Sequence, residues 1–284
     1  MAGRKDQDIG AGGEIGVANP VQSRRRVQSI EVGFRVLRVL RMAEGALPLR
    51  EIAARVNMPP SKVHLYLVSF VRENMAYQDL KNGYYGLGSF AIQLGLAAIR
   101  QLDVVSLASD VLTDLRDRTD CAIYLSLWGD QGPCIVAKAD GALQGAFSLR
   151  LGYILPLTTT ATGHVFLAHL PENETEEIMA GYGNLSQMPT PKRRKPKSEI
   201  DAIIAEVRAR GYGSTIGKLN QNFAGISVPI FDAEGQIAAA MTLLGPTDFV
   251  TGDRLDKYCG LLVDAGTSVT QRIAEESARI AAQQ

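Results

Sequence analysis

Residues 49–72 have the sequence LREIAARVNMPPSKVHLYLVSFVR, which determines the fold of the first third of the chain. Apolar residues at three- and four-residue spacing predict one short helix after Pro48 and a second helix from Pro59-Pro60-Ser61, because proline is tolerated in the first turn of a helix. Asn57-Met58 predicts the tight turn between them. The two stripes predicted to be buried are Leu49, Ile52, Ala53 and Val56, then Val63, Leu67, Phe70 and Val71. This pattern is typical of a helix-turn-helix.

The flanking segments extend this prediction. Upstream, Ser29 is positioned to cap a helix whose apolar side chains recur from Ile30 to Leu40. Downstream, Ala76–Asp79 and Gly83–Gly86 flank Asn82-Gly83, a pair that favours a tight hairpin turn because both residues tolerate positive φ. A hairpin directly after a helix-turn-helix predicts a winged helix over residues 28–88.

Several polar side chains of this region are candidates for DNA contact. We expect Ser61, Lys62, His64 and Tyr66, at the start of the last helix, to contact bases and phosphates in the major groove. For Tyr66, half-buried packing is almost equally favoured. Arg50 and Lys81 are expected to bind phosphates, although for Lys81 a purely solvated role is equally compatible with the sequence. Arg24, Arg25 and Arg26 fit a basic arm for a minor groove or, equally, a solubilising tail.

The net charge of the whole chain is zero, but its basic and acidic residues are unevenly distributed along the sequence. Its 284 residues contain 30 Lys and Arg and 30 Asp and Glu, for a formal net charge of zero. Residues 21–100 hold twelve basic and five acidic groups, a net charge of +7, whereas residues 101–284 carry −6. Because attraction to a polyanion depends on the local field, the +7 segment is compatible with DNA binding.

The remaining segments predict a tail, a linker and a second domain. Residues 1–27 are glycine-rich and polar, typical of a flexible tail without the apolar core of a secretory signal, and no stretch is long enough for a membrane span, so we expect a cytoplasmic protein. Residues 89–103 predict a weakly charged, apolar helix suited to dimerisation. Residues 104–284 alternate strands and helices, with extended stretches at 122–128, 134–139, 148–157, 226–231 and 236–244, which predicts an α+β fold.

Cysteine and histidine spacing gives no sign of a metal or a catalytic centre. The three cysteines form no CxxC pair, and His64, His164 and His169 form no HExxH motif. We expect neither a metal nor a cofactor. GxSxG elbows, P-loops and paired acids at glycosidase-like spacing are also absent, so the sequence names no reaction. A sensor protein or enzyme without specific DNA binding remains the alternative class.

Four blocks of sequence, in order, resemble the IclR family of bacterial transcription regulators over about residues 28–275. They are residues 49–55 with 58–64, residues 85–88 (Tyr-Gly-Leu-Gly), residues 151–157 with 160–168, and residues 208–212 with 227–235. The resemblance implies a winged-helix domain, a dimerising linker helix and a GAF-like effector domain over residues 104–284. It also implies dimers or dimers of dimers on palindromic operators. A small metabolite would then change operator affinity or the recruitment of RNA polymerase.

Departures from the family pattern concern both predicted sites. Leu65 stands where the family usually has a basic residue, and Gly163-His164 replaces a Gly-Lys pair. Family members that bind glyoxylate-like acids use an Asp, a Cys and two Ser, which align with Thr215, Gly225, Thr242 and Leu244 here. Only Thr242 keeps a comparable hydroxyl, and a small, charged oxoacid would therefore lack partners in a buried site. We predict a larger, more apolar effector, such as an aromatic acid.

Further effector contacts are predicted around these positions. Thr160, Ala161 and Gly163 start a helix whose N–H groups and dipole favour a carboxylate, although a threonine cap needs no ligand. Four aromatic residues are candidates for the pocket or, as often, for the core: Tyr124, Trp128, Phe147 and Tyr153. The basic run at 192–197 is interpreted as a solvated loop.

Overall fold

The structure, a computed structural model, describes residues 27–100, 103–144, 148–179 and 195–282. Its fold is α+β, with an N-terminal helix-turn-helix unit, a connecting helix and a C-terminal domain built on an antiparallel sheet. Arg24, Arg25, Arg26, Phe147 and most of the 192–197 run lie outside the described residues.

The N-terminal unit contains the three predicted helices, α1 (Gln28–Met42), α2 (Leu49–Arg55) and α3 (Pro60–Arg72). Asn57 adopts a φ of 53° in the turn between α2 and α3, where the Met58 amide donates to the Ala53 carbonyl. The predicted cap at Ser29 is wrong: the capping position is Val27, two residues earlier, and the Val27 carbonyl accepts the amides of Ile30 and Glu31. The core of the unit comprises Val36, Leu40, Ile52, Ala53, Val56, Val63, Leu67, Ala76 and Tyr85.

A wing follows α3, made of β1 (Ala76–Gln78) and β2 (Tyr85–Leu87). Leu47 forms an isolated antiparallel β-bridge with Tyr85, on the edge of β2 that faces away from β1. The predicted hairpin is present, but its strands are shorter than predicted and its loop is wider: the loop runs from Asp79 to Tyr84, and only Gly83 of the Asn82-Gly83 pair has positive φ. Side-chain oxygens stabilise the wider loop: Asp79 Oδ1 accepts the Lys81 amide, and Asn82 Oδ1 accepts the Tyr84 amide.

Two helices lead into the C-terminal domain, α4 (Ser89–Arg100) and α5 (Asp103–Thr119). None of the described residues of α4 is buried, whereas α5 buries one face against the sheet. Among the described residues no single helix is long and apolar enough to span a membrane; α4 and α5 meet that criterion only as a pair, bent by 86°.

The sheet of the C-terminal domain has the strand order β4-β3-β7-β6-β5, with antiparallel neighbours throughout. The strands are β3 (Ala122–Gly129), β4 (Gly132–Ala139), β5 (Gly213–Ile216), β6 (Phe223–Phe231) and β7 (Ile237–Pro246). The predicted extended stretch at 148–157 is wrong. It forms a bent loop in which Gly152 has a φ of 80° and only Ile154 bridges to Cys134, and the fifth strand is instead β5.

Helices cover both faces of this sheet. α5 and α10 (Asp253–Ala281) pack on one face against alternate residues of the strands, among them Ile123, Met241 and Leu243. α6 (Ala161–His169) lies on the opposite face and is flanked by α8 (Lys197–Arg210), which ends at Gly211 with a φ of 76°. The remaining short elements are a 3₁₀ turn (Ala142–Gln144), α7 (Glu172–Glu177) and α9 (Thr247–Val250).

Polar contacts join the two parts of the chain. The Arg41 guanidinium donates to Oε1 of Gln131 in the β3–β4 turn at 2.5 Å, and the Arg38 guanidinium lies 3.7 Å from the Asp130 carboxylate. Arg150 approaches Glu44 at 3.8 Å. These contacts place the end of α1 against the turn and the 148–157 loop.

Candidate DNA-binding surface and effector cavity

The helix α3 presents a mixed polar and apolar surface. Ser61, Lys62 and His64 are exposed, as predicted from their positions beside the buried Val63 and Leu67. The His64 ring Nδ1 lies 3.5 Å from the hydroxyl of Tyr85, so the ring is directed towards the wing. Tyr66 is half-buried and packs against the core of the unit, which favours the packing interpretation.

The predicted phosphate-binding residues are exposed on neighbouring elements. Arg50 lies in the first turn of α2, and Lys81 lies in the wing loop beside Leu80. Within the described residues, no ion pair joins Arg50, Lys62 or Lys81 to an acid, whereas Arg55 pairs with Glu51. Their charges are thus not compensated by a direct contact within the fold.

A cavity lies between the N-terminus of α6 and the face of the sheet that α6 covers. The empty space between its lining atoms is about 440 Å³ with the open solvent at its mouth included, whereas the cavity volume open to the centre of a water molecule is only about 30 Å³. Seven residues that the sequence predicted for effector contact line it: Tyr124, Thr160, Ala161, Thr215, Gly225, Thr242 and Leu244. Among the described residues no charged side chain lines it.

Gly163, also predicted for effector contact, is not among the lining residues. A Cβ atom at Gly163 would lie 2.4 Å from the Leu157 carbonyl oxygen, so glycine is required by close packing of α6 on the preceding loop. Its amide donates to Oγ1 of the Thr160 cap at 2.9 Å. The threonine cap that the sequence left as an alternative is therefore present.

Five lining residues were not predicted: Leu149, Leu155, Thr162, Leu219 and Phe223. Leu149 and Leu155 belong to the bent 148–157 loop, and the Leu149 amide donates to the Tyr124 hydroxyl at 3.3 Å. Leu219 lies in the β5–β6 connection, and Phe223 is the first residue of β6. Their apolar character was visible in the sequence, but the loops that bring them to the sheet are set by non-local contacts. Trp128 instead packs on Phe166 in the core, with ring centroids 5.5 Å apart, and Tyr153 packs behind the lining.

Hydroxyl groups form a buried chain at the base of the cavity. Thr162 Oγ1 lies 2.8 Å from Thr242 Oγ1, and Thr242 Oγ1 donates to Ser227 Oγ at 2.9 Å. Thr160 Oγ1 donates to the Pro156 carbonyl at 2.7 Å. Burial raises the pKa of the Tyr124 phenol, so at neutral pH the cavity offers it as a neutral hydroxyl.

Burial changes the pKa of both histidines of α6, His164 and His169. Desolvation lowers the pKa of His164 and of His169 below the usual range, and nearby cations act in the same direction. His169 packs edge-on against Phe231, with ring centroids 5.1 Å apart. Among the described residues, no group of three or more His, Cys, Asp or Glu is arranged to hold a metal ion.

The two parts of the chain match two known domain families. Residues 29–80 match the IclR helix-turn-helix domain, and residues 96–271 match the bacterial transcriptional regulator IclR C-terminal domain. The chain belongs to the IclR family. This IclR-family protein is a transcriptional regulator and not an enzyme.

Individual relatives span almost the whole chain. The Escherichia coli regulator XynR is 24% identical over 247 residues, which is 87% of this chain and 97% of XynR. The Bacillus subtilis regulator KipR is 27% identical over 235 residues, which is 80% of this chain and 90% of KipR. The crystal structure of Pseudomonas aeruginosa HmgR has 31% identity and a TM-score of 0.69, covering 87% of this chain and 99% of HmgR. An IclR homolog from Microbacterium hydrocarbonoxydans, crystallised with 4-hydroxybenzoate, has 20% identity and a TM-score of 0.68, covering 85% and 98%.

Proposed function

We propose that this IclR-family regulator controls a catabolic operon in the cytoplasm by binding a palindromic operator. An aromatic or comparably large carboxylic acid bound in the cavity would change operator affinity or the recruitment of RNA polymerase. Residues 28–88 would bind DNA, residues 89–103 would form the linker and residues 104–284 would bind the effector. The observation that carries the proposal is an exposed helix α3 on one unit together with a separate cavity in the other.

The DNA-binding part rests on the available charges. Lys62 and Arg50 lie in the first turns of α3 and α2, where helix N-termini also attract phosphates. Lys81 would bind phosphate from the wing. Such contacts are independent of sequence and depend steeply on salt.

The test is a gel-shift titration of the full chain with the DNA upstream of its own gene, at several salt concentrations. We expect specific retardation that weakens with salt. Lys81→Ala should weaken binding to all sequences alike and reduce the salt slope by about one. Lys257→Ala, which removes an exposed lysine from α10, is the matched control and should leave the slope unchanged. Absence of specific retardation, with and without effector, would favour the alternative of a sensor that does not bind DNA.

The proposed palindromic operator requires a dimer, and exposed apolar faces of two helices favour one. Large apolar side chains are exposed on α1 and α4: Ile30, Phe34, Phe90, Ile92, Leu94 and Leu96. An apolar surface of this extent favours burial against a second copy, as a dimer or a dimer of dimers. Two recognition helices related by a two-fold axis read a palindrome.

The chemistry of the cavity supports the choice of effector. Its walls are aliphatic and aromatic side chains with a few hydroxyls, and among the described residues no charged side chain lines it to bind a small, polar oxoacid. The start of α6 offers backbone N–H groups to a single carboxylate. The complex of the M. hydrocarbonoxydans homolog with 4-hydroxybenzoate provides a precedent for such a ligand in this fold.

Thermal-shift titration tests this choice, with benzoate and 4-hydroxybenzoate compared with glyoxylate. A ligand at 100 times its Kd stabilises the folded state by about 2.7 kcal/mol. We expect stabilisation by the aromatic acids only. Leu219→Trp, which fills the cavity, should abolish it, and Ile216→Trp, at an exposed position three residues earlier, should not. A preference for glyoxylate would contradict the proposed effector class.

A further inference from the structure

The helix α3 exposes two large apolar side chains on its outer surface. Leu65 is 68% exposed and Val68 is 51% exposed, while Val63 and Leu67 bury the opposite face. Leu65 follows Ser61 by four residues and Lys62 by three, so these three side chains are neighbours on the helix surface. Leu65 therefore lies within the surface proposed to enter the major groove.

Hydrogen-bonding groups are few on this surface. Ser61 and Lys62 are exposed donors, but the His64 ring is directed towards the Tyr85 hydroxyl and Tyr66 packs against the core. Direct recognition of most bases requires hydrogen bonds to their edges. The C5-methyl group of thymine is the exception, because it is an apolar group in the major groove.

We infer that Leu65 contacts the C5-methyl group of a thymine and so determines a T·A pair in each half-site. This inference rests on the proposed DNA-binding function. In a helix, a leucine side chain is directed back towards the N-terminal turn, which places it beside Ser61 and Lys62. Because the N-terminal residues of a recognition helix contact the bases, Leu65 is favoured over Val68, which lies almost one turn further along.

The experiment begins with selection of binding sites from a random-sequence duplex DNA library by the full-length wild-type protein. In the enriched duplex, each dT is then replaced singly by dU, which removes only the C5-methyl group, and the Kd is measured by fluorescence anisotropy at fixed salt. We expect one position per half-site at which dU weakens binding about fourfold, the effect of burying one methyl group. Replacement in both half-sites should weaken it about 15-fold.

The decisive comparison is a double-mutant cycle between the protein and the methyl group. Leu65→Ala should bind the dT and dU duplexes equally, because the apolar partner is gone. Leu80→Ala removes a leucine that is 98% exposed on the wing and is the matched control; it should keep the wild-type ratio of the two affinities.

Two results would overturn the inference in different ways. If the wild type enriches a sequence but no dU replacement weakens binding, or if Leu65→Ala keeps the wild-type ratio, Leu65 does not recognise thymine although the regulator still binds DNA. If the wild type enriches no sequence, the proposed DNA-binding function fails and the inference fails with it.

Discussion

Thr162 and Thr242 are 80 positions apart in the chain, yet their Oγ1 atoms lie 2.8 Å from each other. Thr242 continues the contact to Ser227 on the neighbouring strand. The bond joins the first turn of α6 to the centre of the sheet, at the base of the cavity. A buried hydroxyl that lacks a hydrogen-bond partner costs free energy, so this chain of bonds stabilises the position of α6.

Removal of the central hydroxyl should destabilise the fold. Thr242→Val keeps the shape of the side chain but leaves the hydroxyls of Thr162 and Ser227 without their shared partner. We expect the free energy of unfolding to fall by about 1–3 kcal/mol, measured by urea denaturation. Thr113→Val, at an exposed threonine of α5, is the control and should change it by less than about 0.5 kcal/mol. Equal effects of the two variants would contradict a structural role for the buried chain.

Gly163 should tolerate no side chain. In Gly163→Ala the new methyl group would lie 2.4 Å from the Leu157 carbonyl oxygen, and the start of α6 would have to move. We expect a loss of at least about 1–3 kcal/mol, as for overpacked cores, or failure to fold. Gly260→Ala offers a matched control in α10, where nothing lies within 4 Å of the added atom. That variant should gain up to about 1 kcal/mol from helix propensity, and wild-type stability of Gly163→Ala would disprove the close packing.

Stability should decrease on acidification because of the histidines of α6. Burial lowers the pKa of His164 and His169 in the folded chain, so the unfolded chain binds protons first. Their contribution is complete above a pH of about 6.5, the unfolded value, and is lost as the pH falls through the folded values. Urea midpoints at pH 7.5, 6.5 and 5.5 measure it. The variant with His164→Gln and His169→Gln should lose less stability between pH 6.5 and 5.5 than the wild type.

The matched control for this effect is His64→Gln, at an exposed position of α3. It should retain the wild-type loss of stability at low pH. An unchanged pH dependence of the doubly substituted protein would show that other groups cause it.

The contact between the two parts of the chain should be detectable in solution. Arg41→Ala removes the guanidinium that donates to Gln131, and Gln131 is nearly buried, so its amide oxygen loses its partner. We expect faster hydrogen–deuterium exchange in the β3–β4 turn, because local opening becomes easier. Arg72→Ala, at the exposed end of α3, should not change exchange in the turn. Equal exchange in all three proteins would contradict a persistent contact.

The sequence predicted the elements whose determinants are local. Apolar spacing identified α1, α2 and α3, and the extended stretches predicted at 226–231 and 236–244 lie in β6 and β7 of the structure. β5 was not predicted, because a strand of four residues shows little alternation in the sequence and forms only through its pairing with β6. The wing loop is wider than predicted because two side-chain oxygens accept backbone amides within it.

For the cavity, the sequence indicated residue types but not their arrangement. Strand alternation places Thr242 and Leu244 on one face, whereas the approach of α6 and of the 148–157 loop depends on contacts across many positions. Gly163 is an example. The sequence alone does not distinguish a glycine that is required for close packing from a glycine that lies against a ligand.

Alternate side chains of strand β7 lie on opposite faces of the sheet, one facing the core and the other the cavity. Met241 and Leu243 belong to the core beneath α5 and α10, whereas Thr242 and Leu244, which alternate with them, face the cavity. Side chains that face the cavity without joining the hydroxyl chain, such as Leu244, are therefore free to vary with little effect on that core. The alternation therefore allows the residue types on the cavity side of the strand to change while the side that packs against α5 and α10 stays the same.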